Sequence, residues 1–216
     1  MRSLDLRTMS EKDVSDLLSR KGVDLSKARA GVEKIIASVR ARGDASLKSF
    51  AAEYEGFPGG SLRMTVEAIA KAMDSVPQDT LRSLRIAKRR IESFHSRQGL
   101  REFKYSDATG SYGVKVVPLS RVGVYAPGGT ASYPSSVLMA CIPARLAGVK
   151  DIALFSPGLN GAVNPLTLAA ASLCGVDEVY RVGGAQSVAA MAYGTESIRP
   201  VDKIVGPGGM FVSAAK

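Results

Sequence analysis

The sequence is poor in the residues that build metal sites and disulfide frameworks. Among its 216 residues are one histidine, two cysteines and no tryptophan. Cys141 and Cys174 show no CxxC spacing, so we expect buried, reduced thiols in a cytoplasmic protein rather than a disulfide. No cluster of His, Cys and carboxylate residues has metal-ligand spacing. We expect the single histidine, His95, to have a structural or surface role.

Long apolar segments are also missing. No apolar run approaches the roughly 20 residues of a membrane-spanning helix. The N-terminal residues MRSLDLRTMSEKD contain no apolar signal-peptide core. We therefore expect no membrane partner. The composition is nevertheless that of a globular domain, with 45% hydrophobic and 23% charged residues.

Positive charge is in excess, and most of it lies in the first part of the chain. The net charge is +9; residues 1–119 carry 22 basic and 15 acidic residues, and the remainder carries 7 and 5. Charge alone allows nucleic-acid binding through one segment, whose basic residues are Arg82, Arg85, Lys88, Arg89 and Arg90. No zinc-finger, RNA-recognition or helix-turn-helix pattern accompanies them, so we expect no nucleic-acid partner.

The periodicity of hydrophobic residues divides the chain into two predicted regions. Residues 1–119 are predicted to be mainly helical, with two strands near the end of the region at 102–106 and 111–119. Ser10 is a candidate N-cap with Asp13 three residues on, and one apolar stripe ends near Gly43. A long helix is predicted over 78–98, with Phe94 on its buried side.

From residue 120 to 216, strands and helices alternate, which predicts an α/β domain with a parallel sheet covered on both faces. Three predicted strands run into glycine turns, at Gly128–Gly129, Gly183–Gly184 and Gly206–Gly209. Such turns before a helix present N–H groups that suit phosphate or carboxylate. Any one of them can be a tight turn without a ligand, but three turns on one sheet edge favour a ligand site along that edge. No GxGxxG fingerprint or Walker lysine is found.

Two side chains lie beside these turns. Tyr125 ends a strand next to a Pro-Gly-Gly turn, where it can stack on a ligand ring or serve as a core aromatic. Gln186 follows Gly183–Gly184 in the first turn of a helix. Its amide can both donate to and accept from a ligand, or the residue can cap the helix or face solvent.

Longer motifs of the chain resemble the histidinol dehydrogenase family. They are RVGVYAPGGTASYPSSVLMACIPARLAGV, DEVYRVGGAQSVAAMAYGTESI and VDKIVGPG, with the N-terminal pieces VRARGDASLKSFAAEYEGF and RRIESFHSRQ. The resemblance implies a fold similar to aldehyde dehydrogenase and the NAD- and zinc-dependent oxidation of L-histidinol to L-histidine in histidine biosynthesis. It further implies a homodimer in the full-length form.

Residue by residue, the resemblance implies that Tyr125 and Gln186 contact NAD. Where the family usually has GPGN, this chain has GPGG, so Gly209 replaces an asparagine and a cofactor hydrogen bond of about 1 kcal/mol is expected to be lost. Family members are about twice as long. The resemblance places their zinc ligands and their Glu-His acid/base pair in the other half. We therefore expect an inactive fragment with no catalytic residue and no metal ligand of its own.

Other readings of the sequence remain open. The chain could belong to a related dehydrogenase that acts on another alcohol. It could also be a non-catalytic module that binds a nucleotide or anion, or one that only assembles with a partner chain.

Overall fold

A computed structural model describes residues 8–18, 25–99, 101–129 and 131–216. Its helices are α1 (Glu11–Leu18), α2 (Ser26–Glu55), α3 (Val66–Lys71), α4 (Gln78–His95), α5 (Pro134–Leu146), α6 (Pro165–Leu173), α7 (Gly184–Tyr193) and α8 (Met210–Ala215). Its strands are β1 (Phe103–Asp107), β2 (Gly110–Val114), β3 (Arg121–Tyr125), β4 (Asp151–Phe155), β5 (Glu178–Tyr180) and β6 (Lys203–Val205). This is the predicted α/β class, with a helical N-terminal region.

A four-stranded parallel sheet forms the centre, in the order β5-β4-β3-β6. Strand β3 pairs with β4 from Arg121↔Asp151 to Tyr125↔Phe155. All four strands are parallel, so their carboxyl ends lie along one edge, where ligands of open α/β sheets bind.

Helices cover both faces of this sheet, as predicted. Because successive strand residues point to opposite faces, Ile152 and Leu154 of β4 join one core and Phe155 joins the other. The first core lies under α3, α4, α5 and α6, and the second lies under α2, α7 and α8. The N-terminal helices thus complete the layers on the sheet; the division at residues 119 and 120 stays a prediction.

Helix boundaries at the N-terminus follow the predicted signals. Ser10 accepts a hydrogen bond from the Asp13 amide at 3.2 Å, and its hydroxyl donates to the Asp13 carboxylate at 2.6 Å. Helix α2 is interrupted at Gly43, which has φ 50° and ψ −129°. Beyond this break, the Asp44 amide donates to Glu196 at 2.7 Å and joins the helix to the segment after α7.

The segment from α4 to β2 departs from the prediction. Helix α4 ends at His95, and Phe94 is 63% exposed rather than buried. Both predicted strands are present and pair with each other in antiparallel orientation, but β2 ends at Val114 rather than at residue 119. Both strands of this hairpin are exposed throughout, with Tyr105 stacked on Tyr112. A repeat of 3.6 residues predicts which face of a helix is apolar. It does not predict at which residue the segments that cover this face end.

The amino ends of the strands are tied together by an ion-pair network. Arg121 donates to Glu178 at 2.5 and 2.8 Å and to Asp151 at 2.5 Å. The Tyr180 hydroxyl donates to the same Glu178 carboxylate at 2.8 Å. Burial raises the pKa of Glu178, but the hydrogen bonds from Arg121 and Tyr180 outweigh it, so the net shift is downward. This network stabilises the edge opposite to the candidate site.

Two further predictions concern the cysteines and membrane-spanning helices. Cys141 and Cys174 are both buried free thiols. Within the described ranges, no helix is long and apolar enough to cross a bilayer.

Candidate functional site

At the carboxyl ends of the parallel strands, the turns pack closely against one another. Glycines occupy the points of contact, where there is no room for a side chain. A Cβ on Gly183 would lie 2.5 Å from Cβ of Pro157, which follows β4. A Cβ on Gly128, after β3, would lie 2.8 Å from the Pro157 carbonyl. A Cβ on Gly206, after β6, would lie 2.0 Å from the carbonyl oxygen of Tyr125. The three predicted glycine turns therefore form one compact edge.

One of these turns already holds an anion, and it belongs to the protein itself. Glu55, the last residue of α2, reaches the N-terminus of α7. Its Oε1 accepts from the amide of Gly183 at 2.8 Å, and its Oε2 accepts from the amide of Gly158 at 3.0 Å. The Gly183 amide thus binds a carboxylate, one of the two groups that the turn was predicted to suit, but this carboxylate belongs to the protein's own Glu55.

Opposing effects act on the pKa of the Glu55 carboxyl group. Burial raises its pKa, while the hydrogen bonds from Gly183, Gly158 and Gln186 lower it, and the net shift is upward. A carboxylate at the C-terminus of its own helix is unfavourable, but the positive end of the α7 dipole attracts it. The carboxylate therefore links the loops after β4 and β5 to α2.

Tyr125 lies at the end of β3 and is 6% exposed. Its hydroxyl oxygen accepts from the Gly184 amide at a long 3.4 Å. Burial raises the pKa of Tyr125, so the phenol keeps its proton at neutral pH. The hydroxyl thus retains a donor hydrogen for a group that approaches the turn.

Gln186 lies in the first turn of α7, as predicted, and is 2% exposed. Its Nε2 donates to Glu55 at 3.4 Å. Its Oε1 lies 2.4 Å from where a Cβ on Gly184 would be, and Gly184 has φ +63°. The positive φ therefore favours glycine at this position, and a side chain here would displace the Gln186 amide. The two predicted residues, Tyr125 and Gln186, meet at this one turn.

A cleft of about 380 Å³ opens beside the turn. Apolar and aromatic side chains form much of its lining, and polar groups come from Glu55 and Gln186. The other lining residues are Ile35, Tyr54, Pro157, Gly184, Ala185 and Phe211. Mostly apolar walls with a few convergent polar groups are typical of small-molecule sites.

Sequence reasoning missed Glu55. It is more than 100 residues from the turns that it binds, so no local pattern joins them. A signal was nevertheless present in the sequence. An acidic residue stands in the last turn of a predicted helix, directly before the C-cap Gly56, where a basic residue is expected.

The single histidine, His95, does not lie at the candidate site. His95 contacts Gln98 at 2.6 Å and packs edge-on against Phe94, far along the chain from the glycine turns. In the parts of the chain that the structure describes, no group of three or more His, Cys, Asp and Glu residues could hold a metal ion.

Similarity to known proteins decides the family. A family model described as histidinol dehydrogenase matches residues 18–216. The chain belongs to the histidinol dehydrogenase family. It is similar to the histidinol dehydrogenase of Gluconobacter oxydans, with 48% identity over 208 residues, which are 95% of this chain and 48% of that protein. The corresponding protein of Rhizobium meliloti is 47% identical over 214 residues.

A solved structure agrees. The crystal structure of histidinol dehydrogenase from Elizabethkingia anophelis matches 96% of this chain and 48% of its own, with a TM-score of 0.87 and 31% identity. The chain spans about half the length of the curated histidinol dehydrogenases it matches.

Proposed function

We propose that this chain supplies the NAD-binding part of a histidinol dehydrogenase, which oxidises L-histidinol to L-histidine. The observation that carries the proposal is the meeting of Tyr125 and Gln186 at the Gly183–Gly184 turn, on the ligand-binding edge of a parallel sheet. Membership of the family supports the reaction class.

The residues present fit a nucleotide cofactor. The cleft beside the turn has the volume of a small-ligand pocket. The Gln186 amide provides a hydrogen-bonding group in the lining of the cleft, and Gly184 lets it lie close to the backbone. The Tyr125 hydroxyl lies outside this lining, at the adjoining Gly184 amide. When bound, NAD supplies the hydride acceptor for alcohol oxidation. Tyr125 and Gln186 bind and orient it, and the apolar walls exclude water.

The described residues do not fit zinc, because no metal-holding group is found among them. We propose that the zinc ligands and the acid/base pair lie in the half of the family length that this chain does not span. The homodimer and cytoplasmic location implied by the family belong to the same proposal.

NAD binding by the isolated chain tests this function. Calorimetric titration should show saturable binding, and Gln186→Ala should weaken it about fivefold through loss of one hydrogen bond. Gln98→Ala, a change at an exposed residue after the end of α4, is the matched control and should leave the affinity unchanged. Absence of NAD binding by a folded chain contradicts the proposal.

Catalysis provides the second measurement. Incubation of the chain with histidinol, NAD and zinc should give no reduction of NAD above the background. Appreciable turnover would show that catalytic residues lie within these 216 residues.

A further inference from the structure

The Glu55 carboxylate has hydrogen-bonding capacity that the protein does not use. It accepts from two backbone amides and from the Gln186 side chain. An ionised carboxylate has about four acceptor sites. Glu55 is only partly buried and lines the cleft. One acceptor site therefore remains for a ligand in the cleft.

The part of the cleft beside Glu55 accepts hydrogen-bond donors and disfavours anions, so the pyrophosphate of NAD would lie away from this carboxylate. Within the described part of the chain, its lining contains one ionisable acid, Glu55, and no lysine or arginine. The amide of Gly183, which otherwise suits phosphate, is already bonded to Glu55. A phosphate placed here would meet a fixed negative charge with no cation beside it.

A nucleoside has the matching chemistry, because it combines a flat base with vicinal ribose hydroxyls. The rings of Tyr54 and Phe211 are 58% and 48% exposed at the cleft, so aromatic surface is available beside the carboxylate. In standard dinucleotide folds, an acidic residue downstream of the glycine turn bonds the ribose 2′-hydroxyl. In this chain the acidic residue about 20 positions after the turn, Asp202, instead accepts from the amides of Ser120 and Arg121 at the amino end of β3. Helix α2 brings a different carboxylate, Glu55, to the turn from upstream.

We propose that Glu55 accepts a hydrogen bond from the 2′-hydroxyl of the adenosine ribose and excludes a 2′-phosphate, so that the chain selects NAD over NADP. This inference rests on the proposed NAD-binding function and identifies a specificity-determining residue within it. Glu55 has this role because it is already fixed by Gly158 and Gly183, which hold the carboxylate ready for the ribose.

Titrations with NAD and NADP test the inference. The wild-type chain should bind NAD about tenfold or more tightly than NADP. In Glu55→Gln the affinity for NAD should fall about tenfold, because a hydrogen bond to a charged acceptor is lost. Its affinity for NADP should stay constant or rise, so the preference disappears. Glu55→Asp, which keeps the charge, should retain a preference for NAD.

The matched control is Glu67→Gln, an exposed change of the same charge on α3 that packs on the other face of the sheet. It should leave the preference unchanged. If Glu55→Gln does not fold, the wild-type chain is titrated with NAD and with its 2′-deoxyadenosine analogue. About a tenfold loss with the analogue supports the inference, and equal affinity overturns it.

The outcomes separate the two proposals. If the wild-type chain binds NAD and Glu55→Gln keeps the full preference over NADP, the role of Glu55 is wrong while the NAD-binding function stands. If the folded wild-type chain binds neither cofactor, the proposed function fails and the role of Glu55 fails with it.

Discussion

Arg121 and Glu178 form a two-hydrogen-bond ion pair across the sheet, at 2.5 and 2.8 Å, although their strands are not neighbours. Strand β4 lies between β3 and β5, and its first residue, Asp151, accepts from the same guanidinium. The side chains of Arg121 and Glu178 are 7% and 10% exposed. Three strands are therefore held at their amino ends by one buried cation.

Removal of that cation should destabilise the fold strongly. In Arg121→Met, Glu178 is left as a buried charge without its partner, and we expect a loss of about 3–5 kcal/mol in the free energy of unfolding. Arg199→Met is the control, since Arg199 also bonds Asp151 but its side chain is 70% exposed; its loss should stay below about 1 kcal/mol. Urea denaturation measures both. Equal losses would contradict a dominant role for the buried pair.

Acid should weaken the same network. The pKa of Glu178 is lower in the folded chain than its ordinary value of 4.5. Its stabilising contribution is therefore complete above pH 4.5 and is lost as the pH falls through the folded pKa. Denaturation curves between pH 6 and pH 3 should show this decline, and Glu178→Gln should show a shallower one. An unchanged slope in the variant would place the acid sensitivity elsewhere.

Gly206 lies so close to the end of β3 that a side chain would not fit there. Gly206 has φ +120°, and a Cβ there would lie 2.0 Å from the Tyr125 carbonyl. Gly206→Ala should therefore lower the free energy of unfolding by about 2 kcal/mol or more. Gly209→Ala is the matched change, because Gly209 has φ −68° and no atom lies within 4 Å of its Cβ position. Thermal melts that shift equally for both variants would contradict the predicted clash.

Gly209 provides a test by gain of function. The resemblance to the family implies an asparagine at this position, and the space around Gly209 is open. Gly209→Asn should restore one cofactor hydrogen bond and tighten NAD binding about fivefold. Gly209 is also the N-cap of α8, so the substitution can stabilise the helix independently. Gly209→Ser caps the helix without the amide and should leave NAD affinity unchanged; an equal gain in both variants would assign the effect to capping.

Much of the fold could be predicted because its signals are local. The alternation of apolar strands with small-residue helices predicted the parallel sheet, and Ser10 and Gly43 marked helix boundaries through capping and backbone freedom. Phe94 was placed wrongly, because its stripe continues beyond the neighbours that cover Leu84.

The candidate site could be predicted only in part. Tyr125 and Gln186 were recognised because each adjoins a glycine turn in sequence. Glu55 was not, because it reaches the turns through the packing of α2 on α7. Non-local contacts of this kind depend on helix direction and length, which single-segment patterns do not fix. The NAD contacts of Tyr125 and Gln186 stay predictions.

The two outermost strands of the parallel sheet, β5 and β6, have three residues each. An exposed strand edge is a template on which another molecule can add a strand. The outer edge of β5 is already covered, because the Met64 amide donates to Val179 and the Arg181 amide donates to Leu62. The three residues of β6 offer few unpaired amides and carbonyls, so intermolecular strand addition gains little there. We expect the sheet itself to resist amyloid-like self-association, which leaves the exposed β1–β2 ribbon as the described segment where a solubilising substitution would have the most effect.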